Sequence, residues 1–174
     1  MSLSDVTALG ERLEDHYREY AFGTLSQPPR PKGFARLFRR WFTYNAQDIQ
    51  PGDKAFLDGT EALIGELAAA VAALSPEEAE GGKAAAERAV ALMTGEKPEN
   101  IPNSRRLYLI AAEALCAPLL PLLDREALVR QRDAMVKVTP KRLMFPRQLE
   151  LLEEMERLLE EKTEAHCSPD SYLN

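Results

Sequence analysis

The amino-acid sequence predicts an all-α protein, a compact helical bundle of six to seven helices whose short loops contain proline and glycine. Sustained alternation of apolar and polar residues, which is typical of half-buried strands, is nearly absent. Valine and isoleucine are sparse beside leucine and alanine, a composition that favours helices over strands. Apolar residues recur instead at steps of three and four along most of the chain, which is the period of an amphipathic helix.

A single domain accounts for the length and composition of the chain. It has 174 residues, of which 45% are hydrophobic and 29% are charged. A chain of this length can bury a hydrophobic core, and this composition is typical of globular rather than disordered proteins. We expect residues 1–165 to form one helical domain and residues 166–174 to form a flexible C-terminal tail.

The spacing of apolar residues predicts a first helix over residues 4–22. The three prolines and one glycine of residues 26–33 predict an extended linker after it. Pro51-Gly52-Asp53 is expected to form a turn, and a long helix rich in alanine and leucine follows this turn and ends near residue 74.

The middle of the chain carries signals for the start and the end of a helix. Ser75-Pro76-Glu77-Glu78 places serine at the cap and proline at the first helical position. We expect Gly81-Gly82 to end or interrupt that first turn, before a helix over residues 83–94 that Gly95 terminates.

Residues 96–103 form the next predicted loop, because they contain two prolines. Ser104 is predicted to cap the helix that follows. Pro118 and Pro121 must kink or break that helix, since proline cannot donate a backbone hydrogen bond.

Two further helices complete the bundle. Asp124 is predicted to begin a helix that ends near residue 138, where Thr139-Pro140 closes it. Pro146 is predicted to begin the last helix, which ends near residue 164. Seven glutamates occupy the polar side of this last helix, so we expect them to be solvated.

Residues 30–44 form the most distinctive segment, because they hold five basic residues and no acidic one. Wound as a helix, the segment places Arg36, Arg39 and Arg40 on one face. The opposite face carries its aromatic residues and leucine: Phe34, Leu37, Phe38, Trp41, Phe42 and Tyr44. The sequence therefore predicts a short basic-aromatic helix.

Two other groups of basic residues stand out. Lys141, Arg142 and Arg147 surround the apolar residues 143–145 and repeat the mixture of cationic and aromatic side chains. Arg105 and Arg106 follow the predicted cap Ser104 and are candidates for an anion site at a helix N-terminus. The candidate binding residues are therefore Arg36, Arg39, Arg40, Trp41, Arg105, Arg106, Lys141, Arg142 and Arg147.

Three interpretations compete for these basic residues. They form the solvated faces of core helices and pair with the acidic last helix, or they form a docking surface for a protein partner. The third interpretation is contact with nucleic acid or an anionic membrane, which the net charge of −6 disfavours. If Trp41 packs in the core, the docking surface of the basic-aromatic helix reduces to its arginines.

The sequence shows no pattern that predicts catalysis, a metal site or a cofactor. It contains two histidines, and we expect His16 to be half-exposed beside the carboxylate of Glu19. Cys116 lies in an apolar run and is expected to be a small buried hydrophobic residue. Whether the chain is an enzyme stays open, since a site of dispersed Tyr, Arg and Glu side chains would escape motif analysis.

The hypothesis that these observations favour is a non-catalytic helical binding module, an adaptor, chaperone-like or regulatory protein. Its partner is another protein or a second copy of the chain, as in a homodimer. Because the sequence has only two cysteines and shows neither a secretory leader nor an apolar span of about 20 residues, we expect a cytoplasmic location.

Overall fold

The computed structural model describes residues 2–23 and 51–167, and it confirms the all-α prediction. These residues form six α-helices and two 3₁₀ helices, with no strand among them. The α-helices are α1 (Leu3–Phe22), α2 (Pro51–Ala72), α3 (Ala79–Thr94), α4 (Asn103–Glu113), α5 (Arg125–Val138) and α6 (Pro146–Cys167). A long 3₁₀ helix covers Ala114–Leu122, and a short one covers Lys141–Leu143.

Helix α1 begins with a capping box. The Ser2 hydroxyl accepts the backbone N–H of Asp5, and the Asp5 carboxylate accepts the backbone N–H of Ser2 at 2.8 Å. This reciprocal pair satisfies two donors at the helix start, so the helix begins within one residue of its predicted position. Its buried stripe is Val6, Leu13, Tyr17, Tyr20 and Ala21, and the helix packs mainly against α2 and α3.

Helix α2 begins at Pro51, so the predicted turn at residues 51–53 is wrong. Asp53 lies in the first turn, where a carboxylate interacts favourably with the helix dipole.

Helix α3 corrects the predictions for the Ser-Pro-Glu-Glu segment and for the glycine pair. Residues 76–78 form a turn, the helix begins at Ala79, and it continues through Gly81-Gly82 without a break. A Cβ atom on Gly81 would lie 2.7 Å from the Leu3 side chain, and one on Gly82 would lie 2.6 Å from Leu74. These glycines therefore let neighbouring segments approach α3 closely. Gly95 terminates the helix as predicted.

The long 3₁₀ helix lies at the centre of the bundle. It contains Pro118 and Pro121, so the predicted break in the helix is confirmed, and it packs against α2, α3, α4 and α6. Its side chains Cys116, Leu119 and Leu120 are fully buried. Two prolines cannot supply the hydrogen bonds of a regular α-helix, and the tighter 3₁₀ winding accommodates them.

The remaining helix ends test the predicted caps. The predicted cap Ser104 is wrong, because α4 begins at Asn103 after Pro102. Asp124 caps α5 as predicted, and its carboxylate accepts the N–H of Ala127 at 2.7 Å. Helix α6 begins at Pro146 as predicted but continues to Cys167. The first two residues of the predicted tail are therefore helical, and residues 168–174 lie outside the described part of the chain.

His16 joins α1 to α2. It is half-buried as predicted, but the partner of its Nε2 is the Phe56 carbonyl at 3.0 Å rather than Glu19. Its ring stacks on the Phe56 ring with 5.4 Å between centroids. Gly59 makes room for this ring, since a Cβ atom there would lie 2.8 Å from His16 Cε1.

Two glycines of α2 provide a matched test of this packing. Gly65→Ala should raise the free energy of unfolding by about 0.5–1 kcal/mol, because alanine is the better helix former and its Cβ meets nothing within 4 Å. Gly59→Ala should lower it by about 1 kcal/mol, because the added methyl displaces the His16 ring from its hydrogen bond. Chemical denaturation of both variants measures the difference, and equal stabilisation would contradict the packing role of Gly59.

Candidate functional site

The structure places five of the nine predicted binding residues. Arg36, Arg39, Arg40 and Trp41 lie outside the described residues, and their role stays a prediction. Arg105 and Arg106 lie in the first turn of α4. Lys141 and Arg142 lie in the short 3₁₀ helix, and Arg147 lies in the first turn of α6.

Arg105 and Arg106 bind backbone carbonyl groups of the protein itself. The Arg105 guanidinium donates to the carbonyl of Gly23 at 2.7 Å, just beyond the end of α1. The Arg106 guanidinium donates to the carbonyls of Pro98 and Glu99 at 2.9 and 3.2 Å. Since carbonyl groups at a helix end lack intrahelical partners, Arg105 stabilises the junction of α1 with α4.

The other three basic residues lie within residues 140–147, on either side of the apolar residues 143–145. We call this segment the docking loop, after the docking role that the sequence predicts for it. Lys141 pairs with Glu156 of α6, with 2.7 Å between Nζ and Oε1. Arg142 and Arg147 are exposed, and neither guanidinium forms an ion pair or a hydrogen bond with the rest of the described chain. Two cations of the loop therefore face solvent, while the third is held against the acidic helix.

The docking loop also exposes two large apolar side chains. Leu143 is 64% exposed and Phe145 is 49% exposed, whereas Met144 between them is buried. The backbone at Met144 is extended, with φ −73° and ψ 142°. Met144 therefore points into the core, while the side chains of Leu143 and Phe145 on either side of it point away from the core into solvent.

Hydrogen bonds hold the backbone of the docking loop. The N–H of Leu143 donates to the Pro140 carbonyl at 2.8 Å, which closes the short 3₁₀ turn. The N–H of Phe145 donates to the side-chain Oε1 of Gln148 at 2.9 Å. The loop is therefore fixed from inside while Leu143 and Phe145 face outward.

A buried ion pair lies beneath this end of the bundle. Lys97 Nζ lies 2.8 Å from Glu113 Oε1, and the two side chains are 5% and 4% exposed. Lys97 Nζ also donates to the carbonyls of Met93 and Gly95, so that all three ammonium protons have partners. The Glu113 carboxylate accepts a second bond, from Gln148 Nε2 at 2.7 Å.

Sequence analysis missed this pair, although one signal was available. Glu113 is the only charged residue between Arg106 and Asp124, in a run of apolar residues. A lone carboxylate in an apolar run is a candidate for burial, and a buried carboxylate requires partners. Lys97 carried no comparable signal, because it lies in a loop sixteen positions away, between charged and polar neighbours.

Burial shifts the pKa values of the groups around the pair. It lowers the pKa of Lys97 and raises the pKa of Glu113, while the charge of each partner opposes the shift of the other. Burial and the nearby Glu113 charge also raise the pKa of the Cys116 thiol to about 12. Cys116 therefore stays protonated at neutral pH and behaves as the predicted buried hydrophobic residue.

A second buried contact joins the end of α1 to the start of α2. The Tyr20 hydroxyl donates to Asp53 Oδ1 at 2.6 Å, and the Tyr20 ring stacks on Phe56 with 3.9 Å between centroids. Burial, together with this hydrogen bond, raises the pKa of Tyr20, so its phenol stays neutral. The contact serves packing, since Tyr20 and Asp53 are both buried.

Elsewhere among the described residues, few features could bind a ligand. A cleft of about 500 Å³ lies between α1, α3 and α5, and side chains such as Leu3, Ala84 and Arg88 line it. No buried side-chain nitrogen or oxygen in the described ranges lacks a partner, and no cluster of metal-ligating side chains occurs there. Five of the seven glutamates of α6 are exposed as predicted, whereas Glu154 and Glu156 are half-buried and pair with Arg157 and Lys141.

Comparisons with known proteins do not assign a family or a function to the chain. The chain matches no protein-family model, and it has no significant match among curated proteins or solved structures. None of the described helices is long and apolar enough to cross a membrane. The fold defines an all-α helical protein, and the docking loop is its candidate functional site.

The buried ion pair predicts a non-additive effect on stability. Lys97→Met and Glu113→Gln should each lower the free energy of unfolding by about 3–5 kcal/mol, because each leaves one buried charge without its partner. The double variant should lose less unfolding free energy than either single variant, because it buries no charge. The amide introduced at position 113 can still accept a hydrogen bond from Gln148. Chemical denaturation of the four proteins forms the cycle, and additive losses would contradict a coupled pair.

Tyr17 predicts a loss of stability at high pH. Burial and then the Glu113 charge raise its pKa from 10.0 to about 12, so the folded protein resists formation of the tyrosinate. The pKa of Tyr17 is higher in the folded protein than in the unfolded one. The neutral Tyr17 phenol therefore contributes fully to the free energy of unfolding below pH 10, and this contribution is lost as the pH rises towards 12. Tyr17→Phe should therefore reduce the decline of the unfolding free energy between pH 10 and 12. An identical pH dependence in both proteins would contradict this role.

Proposed function

We propose that this protein is a non-catalytic binding module and that the docking loop binds a protein partner through an acidic segment with an apolar anchor. The observation that carries the proposal is the outward exposure of Leu143 and Phe145 on a backbone that Met144 and Gln148 hold in place. The class of binding module includes adaptors, chaperone-like proteins and regulatory proteins.

The apolar part of the loop supports the choice of a docking surface. Leu143 and Phe145 both expose apolar side-chain area that a partner can remove from water. Aromatic residues and arginine are the side chains that most often carry the energy of protein interfaces. Because the loop backbone is already ordered, binding requires little further loss of conformational entropy.

The charges of the loop support an acidic partner. Arg142 and Arg147 stand on either side of the apolar pair and are exposed. Arginine can bind a carboxylate through two parallel hydrogen bonds, which gives geometric specificity as well as attraction. Lys141 does not offer the same contact, because Glu156 already binds its ammonium group.

Charge also favours a protein partner over a polyanion. The chain carries a net charge of −6, and the polar face of α6, next to the loop, is rich in glutamate. Binding to nucleic acid grows with the number of phosphates neutralised, and Arg142 and Arg147 neutralise only two. The same repulsion weakens contact with an anionic membrane.

Selection from a displayed peptide library tests the proposed function. The wild-type protein should select peptides that combine acidic residues with a large apolar residue. Leu143→Ser/Phe145→Ser should weaken binding of a selected peptide about 10–100-fold, because it removes the apolar anchors. Arg142→Glu/Arg147→Glu should weaken binding and reverse its dependence on salt, since the charges would then repel.

Two control variants test whether the effect is specific to the docking loop or follows from changing any exposed residue. Leu107 of α4 is 54% exposed, so Leu107→Ser removes a comparable apolar side chain at another place. Arg88 of α3 is exposed beside the cleft between α1, α3 and α5, and Arg88→Glu reverses a charge at that separate place. Both controls should bind the peptide like the wild-type protein. Equal weakening in the controls, or failure of the wild-type protein to select any peptide, would overturn the proposal.

Two measurements address the rival partners. If sedimentation shows a wild-type dimer that Leu143→Ser/Phe145→Ser dissociates, the partner is a second copy of the chain. If the protein shifts a DNA or RNA probe in low salt and Arg142→Glu/Arg147→Glu abolishes the shift, the partner is nucleic acid. Either result would replace the acidic protein segment as the occupant of the loop.

A further inference from the structure

We propose that Gln148, held by the buried Lys97–Glu113 pair, is a positioning residue that sets the docking loop for its partner. This inference rests on the proposed function, because it assigns a role to residues behind the same surface. None of the three side chains touches the partner; each acts through the next.

The three side chains and the loop form an unbroken chain of polar contacts. Lys97 Nζ lies 2.8 Å from Glu113 Oε1, and Glu113 Oε2 accepts from Gln148 Nε2 at 2.7 Å. Gln148 Oε1 then accepts the backbone N–H of Phe145 at 2.9 Å. This series of contacts begins at Lys97, just after the end of α3, continues through Glu113, the last residue of α4, and ends at the exposed loop.

The amide of Gln148 is the side chain that this position requires. Phe145 precedes the first residue of α6, and Gln148 is the third residue of that helix. A glutamate or glutamine at the third position commonly accepts the N–H of the cap residue. Here the side chain must also donate to a carboxylate, and of these two residues glutamine alone combines an acceptor with a donor when glutamate is ionised.

The chain of contacts determines which side chains the loop exposes. Fixing the Phe145 N–H holds the cap residue at the start of α6, next to the extended backbone of Met144. With Met144 buried, Leu143 and Phe145 face outward together. Without the contact, the part-buried N–H of Phe145 would lose its partner, and the loop would sample other conformations.

The ion pair makes this support more rigid than an ordinary helix cap. A capping side chain that faces solvent can exchange its hydrogen bond for one with water at little cost in free energy. Gln148 is 2% exposed, and releasing its amide would leave a bond of the buried Glu113 carboxylate unmade. Because a buried carboxylate oxygen without a hydrogen-bond donor is unfavourable, the loop stays in the conformation that the core imposes.

Amide hydrogen exchange and peptide affinity together test the positioning role. Gln148→Met removes both hydrogen bonds of the amide and keeps a side chain of similar length. Exchange at the Phe145 amide should become about tenfold faster, as expected for the loss of one hydrogen bond. Affinity for the selected peptide should fall about three- to tenfold, because a mobile loop must be ordered on binding.

Gln131→Met is the matched control, because Gln131 is also a buried glutamine, at 7% exposure. Its amide donates to Glu87 of α3 at 3.2 Å and forms no hydrogen bond with the three side chains behind the loop. This variant should lose stability too, but exchange at the Phe145 amide and peptide affinity should stay at the wild-type values. The comparison separates positioning from a general loss of stability.

A swap of the two functional groups provides a rescue. In Glu113→Gln/Gln148→Glu, the amide lies on α4 and the carboxylate on α6, so a donor again faces an acceptor. The carboxylate can also accept the Phe145 N–H. The swap leaves Lys97 without its carboxylate and should lower the overall stability, but it restores the local contact. Exchange at Phe145 and peptide affinity should therefore lie closer to the wild-type values than those of Gln148→Met.

The two readouts separate the failure of this inference from the failure of the proposed function. Unchanged exchange at Phe145 in Gln148→Met, or faster exchange with unchanged peptide affinity, would overturn the positioning role alone. If the wild-type protein selects no peptide, the docking function is overturned, and a positioning role in docking falls with it. Faster exchange together with weaker binding, absent in Gln131→Met, would support both.

Discussion

The ion pair between Lys97 and Glu113 constrains the arrangement of this protein more than any other contact that we describe. Removing two charges from water costs several kcal/mol for each ion, and their attraction compensates only when the other donors and acceptors are also satisfied. Here that condition requires carbonyls at the end of α3, the last residue of α4 and Gln148 of α6 to meet at one point. A displacement of any of these three helices would leave a buried polar group without a partner.

The same constraint links the core to the surface. The long 3₁₀ helix begins directly after Glu113, so the ion pair also fixes where this central segment enters the bundle. On the other side, Gln148 carries the constraint to the backbone of Phe145, at the docking loop. The buried Glu113–Gln148 hydrogen bond thereby supports the exposed apolar side chains of the docking loop. The exposure of Leu143 and Phe145 follows from how the core holds their neighbours, and it gives the binding proposal its physical basis.

The fold class and several helix ends were predictable because they depend on chemistry within a few residues. The three- and four-residue spacing of apolar side chains, the cap at Asp124 and the breaks at Pro118 and Pro121 are all local signals, and the structure confirms them. The glycine pair at residues 81–82 was misassigned because its function is not local. Those glycines admit side chains from other segments, whereas local rules associate paired glycines with a break.

The sequence by itself determined that the chain is helical, where most helices end and that residues 141–147 combine cations with apolar side chains. Only the tertiary structure decided that Lys141 is paired, that Arg105 and Arg106 bind backbone carbonyls, and that the loop rests on a buried ion pair. The physical reason is sequence separation. A helix period or a cap is set by neighbours within four residues along the chain, but these contacts join different segments whose residues lie from 7 to 82 positions apart.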